Sequence, residues 1–400
     1  MDQSPQHQLP PPAGITEREC AIAAVDSWAI AAPEYLTGAW VIVRIRTRGG
    51  VEGFGECYVP DRAGRAILAG KSIIDTTFRD AILGEPALDL TRLWHKIYDL
   101  CKRMYDRRGI AIHALSGIDI ALHDAAARTL GIPVYQLLGG RTRSSIQLYA
   151  SCIHIDVNRF DVSLADACHY SALGYRVIKF WGWPDFGQDE AGDVQRLRDL
   201  QDAVGQNVRL MLDLGRPGSM PEAQRLVRMI GRSGVDLLGW EEPFSSVDQR
   251  QNLIDLAATS SVPIATGEAE KTTQALRDLI HTRRFAAIQP DLSLVGGLTE
   301  GRRIAELACL DATCLAPHNW GTIVNFAASL HLLSAAPGTA ICEHPISGRV
   351  PTGDRHLPSP VMTDIAGHGF EVINGTATLP ADTVGLGLEV DAAVLDRLSI

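Results

Sequence analysis

The chain has 400 residues, with 46% hydrophobic and 21% charged, which is enough for two modules that each bury a core. A formal net charge of −10 argues against general affinity for nucleic acid or anionic membrane, since both need a basic face. A small anionic substrate stays open, because a bound metal reverses the local sign. The eight cysteines (Cys20, Cys57, Cys101, Cys152, Cys168, Cys309, Cys314 and Cys342) form no C-x-x-C pair and read as free thiols of a cytoplasmic protein, neither a disulfide frame nor a zinc site.

Residues 1–15 are polar and proline-rich and lack the basic start and apolar middle of a secretion signal, so they read as a disordered tail. No apolar stretch reaches the roughly 20 residues of a membrane helix. An α+β module is expected over 16–140. It carries a hairpin signal, VIVRIR (41–46), Gly49-Gly50 and a second run at 53–57, then helical periodicity to Leu130, where Gly131 and Pro133 end the helix. After Gly139-Gly140 eight short apolar runs alternate with helical stretches. They are IQLYAS (146–151), YRVIKFW (175–181), VRLMLDL (208–214), VDLLGWEE (235–242), PIATGEAE (263–270), FAAIQPDL (285–292), ATCLAPHN (312–319) and AICEHP (340–345). This pattern predicts a closed parallel α/β barrel over 141–350. A doubly wound sheet would want a glycine-rich phosphate loop, and none follows an early strand. The eighth unit lacks a helical pattern, because SGRVPTGDRHLPSP (347–360) is too rich in Pro and Gly, and the segment 351–400 is expected to return to the first module.

Active sites of such barrels lie at the C-terminal ends of the strands. Three consecutive runs end there in acids: Asp213, Glu241 in Glu241-Glu242-Pro243, and Glu268 in Gly267-Glu268. A lone acid in such a place is more often a helix N-cap or a solvated loop residue. Three facing one mouth repel each other unless a cation sits between them, and an all-oxygen set favours Mg²⁺. Run six ends in Asp291 and run seven in His318-Asn319. Neighbouring strands lie about 5 Å apart, so Asp291 can hold one imidazole nitrogen and leave the other as a base. Run eight ends in Glu343, a candidate protonated acid whose plainer role is a salt bridge at the mouth. Lys179 and Trp181 alternate to the same side of run two. Lys179 suits a substrate carboxylate or a second base, with an internal salt bridge as its plainer role. Trp181 can only pack or donate a hydrogen bond. Arg216, Asn319, Trp28 and Tyr35 are further candidate substrate contacts; aromatic residues of the first module equally serve to seal it against the barrel.

These residues resemble the enolase superfamily, mandelate racemase subgroup, over nearly the whole chain from about Thr16. The segment SGIDIALHDAAARTLGIPVYQLLGG (116–140) and the order Asp213, Glu241, Glu268, Asp291, His318, Glu343 carry the likeness. The resemblance implies a (β/α)7β barrel, a modified TIM barrel, with an N-terminal α+β cap. It also implies one Mg²⁺ on Asp213, Glu241 and Glu268, an Asp291–His318 dyad, Glu343 as general acid, and a homo-oligomer from dimer to octamer. A Lys or His base with Mg²⁺ on an enediolate is the pattern of enolase-type sites. The racemase pattern on run two is Lys-x-Lys, whereas here it is Lys179-Phe180-Trp181, and Asp-x-Asn after run three is Asp213-Leu214-Gly215. The muconate-lactonising subgroup would place lysine where Asp291 stands.

With Trp181 in the second lysine position, His318 is the clear base. One base favours dehydration of an aldonate or aldarate to a 2-keto-3-deoxy acid. Cycloisomerisation of a sugar lactone or anhydro sugar acid is the alternative, and racemisation, with Lys179 as the opposing base, comes third. A binding protein on an inherited fold is disfavoured because every required side-chain type remains.

Overall fold

The computed structural model describes residues 16–32, 38–59, 65–181, 183, 185–345 and 365–400. The tail 1–15 and the helix-free stretch 347–360 therefore lie outside the described residues. The cap begins with an antiparallel sheet of β1 (Ile22–Ala32), β2 (Gly38–Thr47) and β3 (Glu52–Tyr58), in that order. The hairpin joins β2 to β3 with Ile42 opposite Glu56, as the alternation from 41 predicts. β1 escapes the sequence pattern because IAAVDSWAIAA has little alternation to mark it.

The helix Ile110–Leu130 lies across this sheet. It is long and apolar enough to cross a membrane, which corrects the expectation that no stretch is. Here 94% of its apolar window is buried inside the protein. The packing depends on glycine. A Cβ at Gly53 would stand 2.2 Å from Ala125 N, and one at Gly55 would stand 2.1 Å from Gly117 O. The G-x-G spacing on one face of β3 thus lets strand and helix backbones touch. The same helix ties the cap to the barrel. Thr299 donates to Asp119 through its N (2.9 Å) and Oγ1 (2.6 Å), and Gly296 N donates to Ser116 Oγ at 2.8 Å.

Eight parallel strands follow: β4 (Ser145–His154), β5 (Val177–Trp181), β6 (Arg209–Asp213), β7 (Leu237–Glu241), β8 (Ile264–Thr266), β9 (Ala287–Ile288), β10 (Cys314–Leu315) and β11 (Cys342–Pro345). They pair in sequence, and β11 returns to β4. Ile341 N donates to Leu315 O at 3.0 Å and completes the ring. This is the predicted modified TIM barrel, with all eight runs in place. Its interior is filled by Tyr149, Val177, Met211, Leu238, Ala265, Ala287, Ala316 and Ile341, while a larger cluster packs the strands against the outer helices.

After residue 364 the chain returns to both modules. A hairpin of β13 (Glu371–Ile373) and β14 (Thr376–Thr378) follows the short β12 (Ala366–His368). β14 adds antiparallel to the N-terminal end of β4. β15 (Leu388–Val390) pairs with β12, and the helix Ala392–Leu398 then lies on β1, where Ile400 N donates to Ala29 O at 2.9 Å.

Candidate active site at the strand ends

Strand alternation places the side chains of β5. Val177 belongs to the barrel interior, and Ile178 and Phe180 belong to the outer core. Lys179 and Trp181 therefore point inward. Lys179 is buried and joins two acids: its Nζ lies 2.7 Å from Glu241 Oε1 and 2.7 Å from Glu343 Oε1. Gln289 Nε2 donates to the other oxygen of Glu241 at 2.6 Å. Ser151 Oγ donates to Glu343 Oε1 at 2.5 Å, and Asn319 N donates to Glu343 Oε2 at 2.8 Å. The internal salt bridge foreseen as the plainer role of Lys179 and Glu343 is thus the one observed.

Glu343 was expected as a protonated acid, whereas its ion pair with Lys179 and its donors Ser151 and Asn319 favour the carboxylate form. Burial would raise its carboxyl, but the charges of Lys179 and His318 and the donors around it bring it down to about 2. Burial likewise opposes charge on Lys179, yet Glu241 and Glu343 raise its ammonium well above the ordinary lysine range.

His318 Nδ1 lies 2.7 Å from Asp291 Oδ2, the dyad expected from adjacent strands. The other Asp291 oxygen accepts from Ser293 N (2.8 Å), Ser293 Oγ (2.6 Å) and Asn325 Nδ2 (3.1 Å). His318 Nε2 faces Glu268 Oε2 at 3.6 Å. Burial would lower the imidazole, but Glu268, Glu343 and Asp291 raise it to about 10. Lys271, near the same dyad, donates to Ala269 O at 2.8 Å and is pushed down to about 8 by burial, against the charges of Asp291, Glu270 and Glu268.

Asp213 pairs in register with Trp181 at the end of β6. Burial and then the charge of Glu241 push its carboxyl up to about 7. Glu268 is raised well above the carboxylate range by burial first, with Glu241, Glu242 and Asp213 adding to it against His318. Asp213, Glu241 and Glu268 therefore share one electrostatic field in which Lys179 and His318 offset only part of the acidic charge, and their donor chemistry fits a hard divalent ion. Among the described residues no three acidic, imidazole or thiol side chains stand in a ligating cluster. Asp213 and Glu268 keep part of their surface open. Glu241 is pinned, but a carboxylate has about four lone-pair sites, so its hydrogen bonds leave capacity for a cation.

Glu242 does a different job from its neighbour. It adopts φ 44°, a conformation that costs a non-glycine residue about 1–3 kcal/mol. Its carboxylate accepts from Thr266 Oγ1 (2.7 Å), Gly267 N (2.8 Å) and Ser246 N (3.2 Å), which braces the ends of β7 and β8.

The remaining candidates are dispersed. Trp181 meets His154 and Trp320 edge-on, with centroids at 5.3 and 6.3 Å, and its indole nitrogen has no hydrogen-bond partner among the described residues. Arg216 is exposed, close enough to Glu242 for its charge to favour the ionised carboxylate. Asn319 is buried, and its side-chain oxygen accepts from Asn325 Nδ2 at 3.0 Å, so it turns inward. Trp28 is committed elsewhere: Arg44 covers its ring at 5.1 Å and its indole donates to Asp396 at 2.6 Å. Tyr35 lies outside the described residues. Ser151, Gln289, Ser293 and Asn325 were not foreseen. Ser151 and Gln289 do sit at strand ends, but neutral side chains there carry no charge pattern to single them out.

Residues 16–139 match the family Mandelate racemase / muconate lactonizing enzyme, N-terminal domain, and residues 163–394 match Enolase C-terminal domain-like. The chain is similar to a D-galactarolactone cycloisomerase of Agrobacterium fabrum, 29% identical and covering 89% of this chain and 90% of that one. It is similar to a D-galactonate dehydratase of Xanthomonas euvesicatoria pv. vesicatoria, 28% identical, with 90% of each chain covered. The crystal structure of the 3,6-anhydro-D-galactonate cycloisomerase from Zobellia galactanivorans superposes with a TM-score of 0.81 at 27% identity, covering 95% of this chain and 99% of that one. With two matched domains, a barrel and cap in the same arrangement, and the acids gathered at the strand ends, this chain is an enzyme of the enolase superfamily, in its mandelate racemase subgroup.

Proposed function

We propose that this chain is a Mg²⁺-dependent sugar-acid dehydratase that removes the proton α to a carboxylate and expels the β-hydroxyl, giving a 2-keto-3-deoxy acid. The observation that carries the reading is the single dyad: His318 is held by Asp291 at 2.7 Å, while Trp181 stands where a second lysine base would be. His318 Nε2 takes the α-proton, and Asp291 fixes the tautomer by holding Nδ1. The charge of Glu268 helps to keep a proton on His318 in the resting site, so whatever offsets that charge frees Nε2 to accept. His318 then returns the proton to the departing hydroxyl, which leaves as water. Lys179 faces the substrate carboxylate as a charged donor, Glu343 holds that ammonium in place through their 2.7 Å ion pair, and Trp181 and Trp320 wall the sugar from solvent. Asp213, Glu241 and Glu268 would hold Mg²⁺, which would supply fixed positive charge for the negative charge that develops on the carboxylate.

A second reading has direct support: a relative and a solved structure, both of comparable identity, are named cycloisomerases of a sugar lactone and an anhydro sugar acid. That reaction uses the same proton abstraction with a ring oxygen, not a hydroxyl, as the leaving group. The deciding experiment incubates purified protein and Mg²⁺ with a panel of mono- and di-acid sugars, their lactones and anhydro acids in D₂O. Keto-acid formation is read with semicarbazide and the products by NMR. Water loss that disappears in His318→Asn, by about 10²–10⁴-fold, supports dehydration. Turnover of lactone or anhydro acid alone selects cycloisomerisation. Silence on the whole panel overturns both.

A further inference from the structure

Glu56 belongs to β3 of the cap, yet its carboxylate is fully buried against the barrel. Thr322 N donates to both of its oxygens at 3.0 Å, Asn325 N donates to Oε2 at 3.3 Å, and the Thr322 hydroxyl also donates to Oε2. Thr322 is the N-cap of the helix Ile323–Ala335. Glu56 thus covers a helix N-terminus, where unpaired N–H groups favour a negative charge. Among the described residues no cationic side chain pairs with Glu56. Burial pushes its carboxyl up to about 7, the Thr322 and Asn325 donors oppose that rise, and the charge of Asp291 adds to it.

The approach is built into the loop. A Cβ at Gly321 would lie 2.4 Å from Glu56 Oε1 and 2.5 Å from Asn325 Cβ, so any larger residue there would push the turn off the carboxylate. The same turn carries His318 and Asn319. Its far end is joined to the dyad, since Asn325 Nδ2 donates to Asp291 Oδ1 at 3.1 Å and to Asn319 Oδ1 at 3.0 Å. A chain of hydrogen bonds therefore runs from Glu56 on a cap strand, through Asn325, to the carboxylate that holds His318 Nδ1 at 2.7 Å, while Thr322 anchors the same turn to Glu56. Among the described residues Glu56 hydrogen-bonds to none of those assigned to metal or substrate.

We propose that Glu56 is a positioning residue that locks the His318-bearing turn of the barrel to the cap and so sets the orientation of the imidazole. The proposal rests on His318 as the base, and its test is chosen to stand apart from that assignment. Protein labelled with [¹⁵N]histidine reports the ring nitrogens of His318 directly, its signals being identified by their loss in His318→Asn. In Glu56→Gln and in Thr322→Val these signals are expected to shift or broaden, while those of distant His281 stay fixed. Thr322→Ser, which keeps the hydroxyl, is expected to restore the wild-type signals. On whichever sugar acid or lactone is turned over, kcat is expected to fall about 10–100-fold, as for other supporting partners of a site, with KM within about threefold. His318 signals superimposable on wild type in both Glu56→Gln and Thr322→Val would overturn the proposal. Should Glu56→Gln fail to fold, Thr322→Val with its Thr322→Ser rescue carries the comparison alone. If His318→Asn retains activity, the base assignment fails, and the histidine signals still decide whether Glu56 orients the ring.

Discussion

Lys179 and Glu343 form an ion pair of 2.7 Å in which the lysine side chain is 5% exposed and the glutamate 0%. The lysine thereby neutralises one of the acids that crowd the barrel mouth, and it cannot be removed without leaving both Glu343 and Glu241 uncompensated.

Lys179→Met should therefore cost stability as well as activity. Breaking a buried pair by deleting one partner typically costs about 3–5 kcal/mol, because the remaining charge is left without water or a counter-ion. Urea unfolding of the variant at neutral pH should show a loss of this size. A loss below about 1 kcal/mol would mean that solvent reaches Glu343.

In the presence of a chelator, thermal stability should fall from about pH 5 to about pH 8. Glu56 and Asp213 are both pushed up to about 7, chiefly by burial. For His318, burial is outweighed by Glu268, Glu343 and Asp291, and its imidazole rises to about 10. A group whose pKa is higher folded than unfolded gives stability that is complete below the unfolded pKa and is lost as pH rises through the folded one. That window runs from the ordinary carboxylate range to about 7 for the two acids, and from the ordinary imidazole range to about 10 for His318. Glu343 has the opposite sign: lowered to about 2, it contributes above the ordinary carboxylate range and loses that contribution in strong acid. Melting curves in EDTA that rise between about pH 5 and about pH 8 would contradict this assignment.

Magnesium should reverse much of that loss. A ligand that binds only the folded state at a hundredfold excess over Kd adds about 2.7 kcal/mol. The melting temperature at about pH 8 should rise with added Mg²⁺ in wild type and stay flat in Asp213→Asn. An equal rise in both proteins would remove Asp213 from the metal set.

Asp291→Asn keeps the shape of the dyad but presents an amide to His318 Nδ1, which disturbs the tautomer. Proton exchange at the substrate α-carbon in D₂O should slow by about 10–100-fold or more, with the fold preserved. Unchanged exchange would separate the dyad from proton transfer.

Gly55→Ala should be among the most damaging single-methyl changes in the chain. Its new Cβ meets the backbone of Gly117 at 2.1 Å and of Ala121 at 2.5 Å, atoms that cannot move without shifting a 21-residue helix. Overpacking usually costs about 1–3 kcal/mol, and a rigid backbone contact belongs at or above the upper end. A melting temperature within about 2 °C of wild type would show that the helix is free to slide.

The barrel and the charged site residues were legible in the sequence because both leave local patterns. Each strand run is a short apolar stretch between helical periods, and Asp213, Glu241, Glu268, Asp291, His318 and Glu343 each end such a run. β1 was not legible, since its alanine-rich stretch lacks a period, and neither was the burial of the helix Ile110–Leu130, which by composition alone suits a membrane equally well. Trp28 shows the limit for side chains: an aromatic residue in a cap strand was a fair candidate to meet substrate, but the returning C-terminal helix takes its indole.

The sequence by itself determined which chemical groups stand at the ends of the barrel strands, because strand alternation and strand termini follow from residue order alone. Only the tertiary structure decided the charge those groups carry and what holds them. Glu343 is favoured as an anion because Lys179 and Ser151, from two other strands, reach it. His318 is aimed by Asp291, Asn325 and, across the interface, Glu56. Protonation and orientation depend on distances between residues far apart in the chain, and those distances are set when the barrel closes β11 onto β4 and, for Glu56, when the cap packs on it.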